Sequence, residues 1–239
     1  MFQRYFSILI FFSCYLAVFP QSPATTRFIS DKIFNWGIRA GLNAVVPSYY
    51  SITVNGEPTV DQSMVNEVGY SGGVFARVNL SSFFMQPEVS YFYIPEKLLF
   101  TIPDEALENL NMGIQIKNQS LSVAALLGYN IVKEGPFLFN IFMGPTAYYN
   151  FLTTYEVKNQ PIFRTRETNY NNLKDVNYKV SMITGISANI SRLYFDFRLS
   201  IGIKSSILDF NALEAPEYLQ GIVVTDNGNV LGFSCGIMF

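Results

Sequence analysis

The stretch Leu193-Tyr194-Phe195-Asp196-Phe197-Arg198-Leu199-Ser200-Ile201-Gly202-Ile203-Lys204 decides the fold. Leu193, Phe195, Phe197, Leu199, Ile201 and Ile203 take every second place, with Asp196, Arg198, Ser200, Gly202 and Lys204 between them. Successive side chains of a strand point to opposite faces, so this segment is a strand with one unbroken apolar face and one small, polar face.

The same alternation runs through 36–44, 67–79, 85–93, 120–130, 137–150, 178–189 and 231–239, which brings the count to eight strands. A soluble ligand-binding barrel would turn its apolar face inward and its polar face to water. Here the polar face is mostly Gly, Ser and Asn, small enough for a crowded lumen, and the apolar face is large and continuous, as lipid contact demands. The fold class is therefore all-β: a transmembrane, eight-stranded, antiparallel up-and-down β-barrel. Phe75, Phe84, Phe92, Leu126, Phe142, Ile183 and Tyr194 are large residues on the inward side, suited to filling a narrow interior. Pro87 and Pro145 lack the N–H that a ladder needs, and a bulge or strand irregularity is expected at each.

Connection lengths agree with this. Long links at 47–66, 94–119, 151–177 and 205–229 alternate with short ones at 80–82, 131–136 and 190–192. Short periplasmic turns and long extracellular loops are the outer-membrane pattern, with both termini periplasmic. Tyr70, Tyr91, Tyr93, Tyr149 and Tyr178 then fall near one rim, and Trp36, Tyr129, Phe137, Phe195 and Phe239 near the other. Amphipathic rings at two heights are what bilayer interfaces select.

Composition points the same way. Of 239 residues, 49% are hydrophobic, 16% aromatic and only 14% charged, against roughly 25% charged in soluble domains. Arg4 followed by an apolar run from Tyr5 to Phe19, then Pro20, Ser22 and Ala24, reads as a signal peptide over 1–24, leaving 25–239 as the barrel domain. No later stretch is long and apolar enough for a spanning helix. Phe11, Phe12 and Ser13 make a poor lipidation box before Cys14, and Cys235 is the sole cysteine of the mature chain.

Gly37-Ile38-Arg39-Ala40-Gly41-Leu42-Asn43, Gln86-Pro87-Glu88-Val89-Ser90-Tyr91 and Gly144-Pro145 resemble motifs of the PorT-type outer-membrane β-barrels of Bacteroidetes, a group of OmpA-like small barrels. Phe239 is similar to the terminal aromatic read by barrel-assembly machinery. The resemblance implies a cell outer-membrane location, tolerance of proline at 87 and 145, and a possible link to protein secretion.

Chemistry is sparse. Histidine, the usual base of small outer-membrane enzymes, is absent, so the chain is read as no enzyme, with no catalytic residues. No cofactor or metal motif appears. Acidic residues of the long links (Glu96, Asp104, Glu105, Glu108; Asp209, Glu214, Glu217, Asp226) read as solvated, and Pro103 opens a short helix through Leu110. Three Asn-x-Ser sequons, at Asn79, Asn118 and Asn189, carry no weight in a bacterial chain. The informative polar group is inward: Arg39, Arg77, Arg198, Lys179 and Lys204 facing Glu67, Glu88 and Asp196. Buried charges must be paired. Arg39, Arg77, Glu88, Asp196 and Arg198 are therefore expected to form a structural lumen network, with Glu88 pairing at least one arginine; a gated pore or solute site is the functional alternative.

The partners expected are outer-membrane lipid and lipopolysaccharide, with secretion or envelope proteins as further candidates. A net charge of −2 gives no basic face for nucleic acid. The function expected is a structural or interaction role through the long loops, or an accessory role in secretion or transport.

Overall fold

The computed structural model describes residues 32–46, 50–102, 110–134, 136–159, 166–168, 178–203, 206–209, 221–226 and 228–239. Segment 1–24, read as a signal peptide, lies outside these. Among the described residues eight strands close a ring: β1 (Phe34–Val45), β2 (Val68–Leu80), β3 (Phe83–Ile102), β4 (Leu110–Glu134), β5 (Phe137–Asn159), β6 (Tyr178–Ile190), β7 (Leu193–Gly202) and β8 (Val230–Met238). Each pairs antiparallel with the next, and β8 returns to β1 through Gly37↔Met238 to Val45↔Val230. Closure satisfies the wall's backbone groups without water, the condition for crossing a bilayer.

The wall alternates as the sequence does. Ile38, Leu42, Val74, Val123, Met143, Ile186 and Phe233 are exposed on the outside, whereas Arg39, Asn43, Phe75, Ser122, Phe142 and Ser234 are buried inside. Two belts of outward rings mark its height. Tyr70 stacks on Tyr93 with centroids 4.8 Å apart, and Tyr149 packs on Tyr178 at 5.1 Å. At the other end Trp36 stacks on Phe239 at 4.5 Å, and Phe83 meets Tyr129 edge-on at 5.2 Å.

Two-residue turns close that second end. Ser81 and Ser191 sit at φ 59° and 57°, the left-handed geometry that matches strand twist in tight hairpins. At the opposite end the described residues of the links expected as loops are largely strand. β3, β4 and β5 run to 20, 25 and 23 residues, about twice the 9–11 that cross a bilayer. The β3–β4 ladder continues unbroken from Ile94↔Asn118 to Ile102↔Leu110. Pro95, Glu96 and Lys97 interrupt the outward apolar pattern, which made this region resemble a loop; beyond the lipid, however, a strand's outer face has no need to be apolar. Glu96 accordingly lies in β3 and not in a loop. Of the expected helix, residues 103–109 lie outside the described ones, and Leu110 opens β4.

The remaining links are built likewise. Strand Val60–Asn66 adds to the top of β3, and Arg166–Thr168 adds to β5. Tyr50–Val54, Glu57–Pro58, Ser206–Asp209 and Ile222–Asp226 form a separate four-stranded sheet. β1 and β8 are neighbours in the ring, and strand Tyr50–Val54, which follows β1, pairs with Ile222–Asp226, which precedes β8, as in Ile222↔Val54. Asn55-Gly56, at φ 53° and 86°, makes the hairpin turn in this sheet. Ile52, Leu98, Phe100, Ile114, Ile116 and Ile222 are buried in these extensions.

Neither proline produces a bulge. Pro87 pairs with Ala125 and Pro145 with Met182 in regular register. The irregularity lies on the other flank of each. The β2–β3 ladder has no pairs between Phe75↔Glu88 and Val78↔Met85, and β4–β5 has none between Ala124↔Thr146 and Leu127↔Met143. The register is the same on both sides of each gap, because a missing donor removes a bond without inserting a residue.

Candidate functional site

A narrow barrel accepts bulky inward side chains only where the neighbouring strand yields space. Phe75 lies across from Gly37, Phe84 from Gly128 and Phe142 from Gly185. A Cβ built on Gly128 would meet the Phe84 ring at 2.1 Å, and one on Gly185 would meet Phe142 at 2.6 Å. Phe84, Ala124, Leu126, Phe142 and Ile183 form one buried cluster across the lumen, and Phe75, Tyr194 and Met238 form another. Val45, Phe92, Ile94 and Tyr148 close the interior towards the long extensions.

Charges are threaded between these plugs by the same rule. Arg39 has Gly73 and Gly236 as its cross-strand neighbours, and Arg198 has Gly185 and Gly232. Each of Arg39, Arg77, Glu88, Asp196 and Arg198 is at most 4% exposed. Glu88 Oε1 accepts from Arg39 Nη2 at 3.1 Å and from Arg198 Nη1 at 2.6 Å. Arg198 also grips Asp196 with two bonds, Nε to Oδ1 at 3.2 Å and Nη2 to Oδ2 at 2.5 Å. The Ser234 hydroxyl donates to Asp196 Oδ1 at 2.5 Å and accepts from Arg39 Nη1 at 3.3 Å. Arg39–Glu88–Arg198–Asp196–Ser234 thus closes a circuit of hydrogen bonds supplied by β1, β3, β7 and β8. Arg39 Nη2 further reaches Ser90 Oγ at 2.8 Å. The face of Phe142 lies 5.5 Å from the Arg198 guanidinium carbon.

Arg77 stands apart from the circuit and reaches it through one relay. Its Nε donates to Gln86 Oε1 at 2.8 Å, and Gln86 Nε2 donates to Glu88 Oε2 at 3.3 Å. Its guanidinium lies over the Phe84 ring at 4.1 Å. Both carboxylates are committed to ion pairs, the pairing that a buried charge requires.

Of the other inward charges, Glu67 belongs to the extensions, where both its oxygens accept from Gln115 Nε2 at 3.2 and 2.9 Å. Lys179 is half-buried near the start of β6, and Lys204 lies outside the described residues. Gln86, Ser90 and Ser234 join the circuit without having been singled out as site residues. Parity puts all three on the inner face, but only their nearness in the folded ring distinguishes them from a dozen other small polar residues there.

The family described as "Outer membrane protein beta-barrel domain" matches residues 19–208. No curated protein sequence matches the chain. Among solved structures, it is similar to the outer membrane protein OprG from Pseudomonas aeruginosa, with TM-score 0.46, 15% identity, and 87% of this chain and 97% of that one covered. It is also similar to Ail, the attachment invasion locus protein of Yersinia pestis, with TM-score 0.36, 10% identity, and coverage of 87% and 100%.

Proposed function

Because the chain belongs to the family of outer membrane protein beta-barrel domains, we propose that it serves in that membrane as a non-enzymatic protein that engages a partner through its projecting sheets. The observation that carries this is the material beyond the wall. Three wall strands continue about twice as far as a bilayer requires, and a second sheet stands beside them with Ile52 and Ile222 buried. Structure of that extent suits recognition, whereas a filled lumen suits neither solute passage nor turnover.

In this reading the extensions are extracellular, while the tight turns and both ends of the chain are periplasmic. The motifs around Arg39, Pro87 and Pro145 support placing it among PorT-type barrels of Bacteroidetes. That placement makes an accessory role in secretion the second reading, with envelope proteins as partners and lipopolysaccharide as the surrounding lipid.

Gentle extraction of a tagged protein from its own outer membrane, followed by native electrophoresis and mass spectrometry, tests the proposal. We expect migration in a discrete complex that is lost when residues 94–119 are replaced by a short turn. A complex unchanged by that replacement would refute recognition through the extension, and a lone barrel would refute stable partner binding. Secretion machinery among the partners would select the second reading.

A further inference from the structure

The outer wall is dented where the pairing of β2 with β3 lapses beside Pro87. A groove of about 390 Å³ there is lined by Trp36, Ala76, Pro87 and Val123, with the cross-strand pair Val74 and Val89 along its upper side. Trp36, Val74, Val89 and Val123 are all exposed, so the groove opens to the outside of the barrel. Ala76 and Pro87 floor it with short side chains. The wall behind is fixed from the lumen: Glu88 is held by Arg39 and Arg198, and Phe75 packs on Tyr194 with centroids 4.9 Å apart. At Pro145, by contrast, the wall is tight, since a Cβ on Gly144 would lie 2.1 Å from the Ala125 carbonyl oxygen. An apolar recess left empty forfeits the dispersion contacts of its lining, and a recess already formed costs little ordering to fill. On the outside of a membrane barrel the filler at hand is hydrocarbon. A cation lies at the rim on the same side. Lys32 is exposed at the turn end, and its carbonyl oxygen accepts from Asn79 Nδ2 at 2.8 Å, which places it beside the end of β2. Ala76 lies three residues further along that strand than Asn79, a rise of about 10 Å.

We propose that this groove holds one glycerophospholipid, an acyl chain lying over Ala76 and Pro87 beside Trp36 and the phosphate at Lys32. The rise from Lys32 to Ala76 matches the depth of a mid-chain segment below its headgroup. The choice of glycerophospholipid rests on the tight turns being periplasmic, because that leaflet of an outer membrane carries phospholipid and the other carries lipopolysaccharide.

Trp36 is the only tryptophan of the chain, so its fluorescence reports the groove directly. The test titrates the protein in detergent micelles with phosphatidylethanolamine brominated at mid-chain, a contact quencher. Quenching that saturates near one lipid per protein is the expected result, lost in Ala76→Leu, which fills the groove, and kept in Ala188→Leu, an outward position on β6. Lys32→Gln should weaken the saturable component about threefold, the scale of an exposed ion pair, and leave quenching by a brominated diacylglycerol unchanged. Quenching that only rises with the mole fraction of brominated chains, with no saturation in the wild type, would overturn the site whether or not the variants fold. So would a saturable component that survives Ala76→Leu, and an unchanged affinity in Lys32→Gln would overturn the placing of the phosphate. Displacement by lipopolysaccharide but not by unbrominated phosphatidylethanolamine would overturn the phospholipid and the periplasmic placement together, and leave partner recognition by the extensions untouched.

Discussion

Asp196 and Arg198 stand two residues apart on one strand and hold each other with two hydrogen bonds, at 3.2 and 2.5 Å. On a flat, solvated sheet, same-face neighbours at this spacing diverge into water. Here both point into a lumen too narrow for divergence, and the carboxylate is further fixed by Ser234 from the adjacent strand. The pair leaves Arg198 Nη1 free to reach across the barrel to Glu88. Among the described residues, Glu88 is therefore the group whose ion pairs tie β3 to both β1 and β7.

That position makes Glu88 the most sensitive residue of the circuit. Glu88→Ala leaves Arg39 and Arg198 buried without their shared acceptor, and breaking a buried pair this way costs about 3–5 kcal/mol. Glu88→Gln keeps an acceptor and should cost less. Urea unfolding in lipid vesicles would measure both, and an alanine variant within about 1 kcal/mol of wild type would contradict the circuit's importance.

The outer wall makes its own demand. Met143 is 55% exposed between Phe137 and Tyr149 on β5, midway between the two aromatic belts, and Val68 is 67% exposed at the start of β2 beyond Tyr70. Met143→Arg should cost about 2–4 kcal/mol and Val68→Arg about 0–1, because the penalty for a charge falls from midplane to interface. Equal costs would show that the wall is not set in lipid at the height the belts indicate.

Two glycines separate spacing from flexibility. A Cβ on Gly144 would lie 2.1 Å from the Ala125 carbonyl oxygen and 2.9 Å from the Leu126 Cα, both backbone, so β4 and β5 would have to part. A Cβ on Gly72 would meet only the Arg39 carbonyl oxygen, at 3.8 Å. Gly144→Ala should lower the yield of heat-modifiable folded barrel severely, and Gly72→Ala should leave it unchanged. A folded yield for Gly144→Ala equal to that of wild type would show that the strands can separate there at no cost.

The plugs bear on conduction. With Phe84, Leu126, Phe142 and Ile183 buried together across the lumen, the wild-type protein should give no stepwise conductance in a planar bilayer. Leu126→Ala combined with Phe142→Ala should not introduce it either, because the clusters of Phe75 with Tyr194 and of Phe92 with Tyr148 stay in place. Discrete openings in the wild type would mean that the plug moves.

How much of this could be read in advance differs by region. The wall is legible because lipid on one side and a lumen on the other impose a strict alternation, and the stretch 193–204 of the sequence displays it almost without exception. The lumen was legible in membership but not in wiring. Parity identifies Arg39, Glu88, Asp196 and Arg198 as inward, yet which atoms meet depends on the shear of the ring, which no single strand encodes. The pairing of large inward residues with glycines across the seam, as in Phe84 and Gly128, is visible in the sequence only once the register is known. The extensions differ from the expected loops for a physical reason: above the membrane the alternation no longer separates lipid from lumen, so strands such as Glu57–Pro58 and Val60–Asn66 carry no membrane signature. Asn55-Gly56 is a short-range signal there, since that dipeptide favours a two-residue hairpin.

The meeting of β1 and β8 has a consequence for biogenesis. Trp36 N donates to the Phe239 carbonyl oxygen at 3.3 Å, Phe239 N donates to the Trp36 carbonyl oxygen at 2.7 Å, and nine residue pairs continue the seam above them. The first strand of the wall therefore has no partner on one flank until the last has been synthesised, roughly two hundred residues later. Until then an apolar ribbon with an open edge exists in an aqueous compartment, where it is a template for pairing with any other chain. Closure of the wall is therefore a late event, completed only when the nine residues of its last strand, Val230–Met238, are in place.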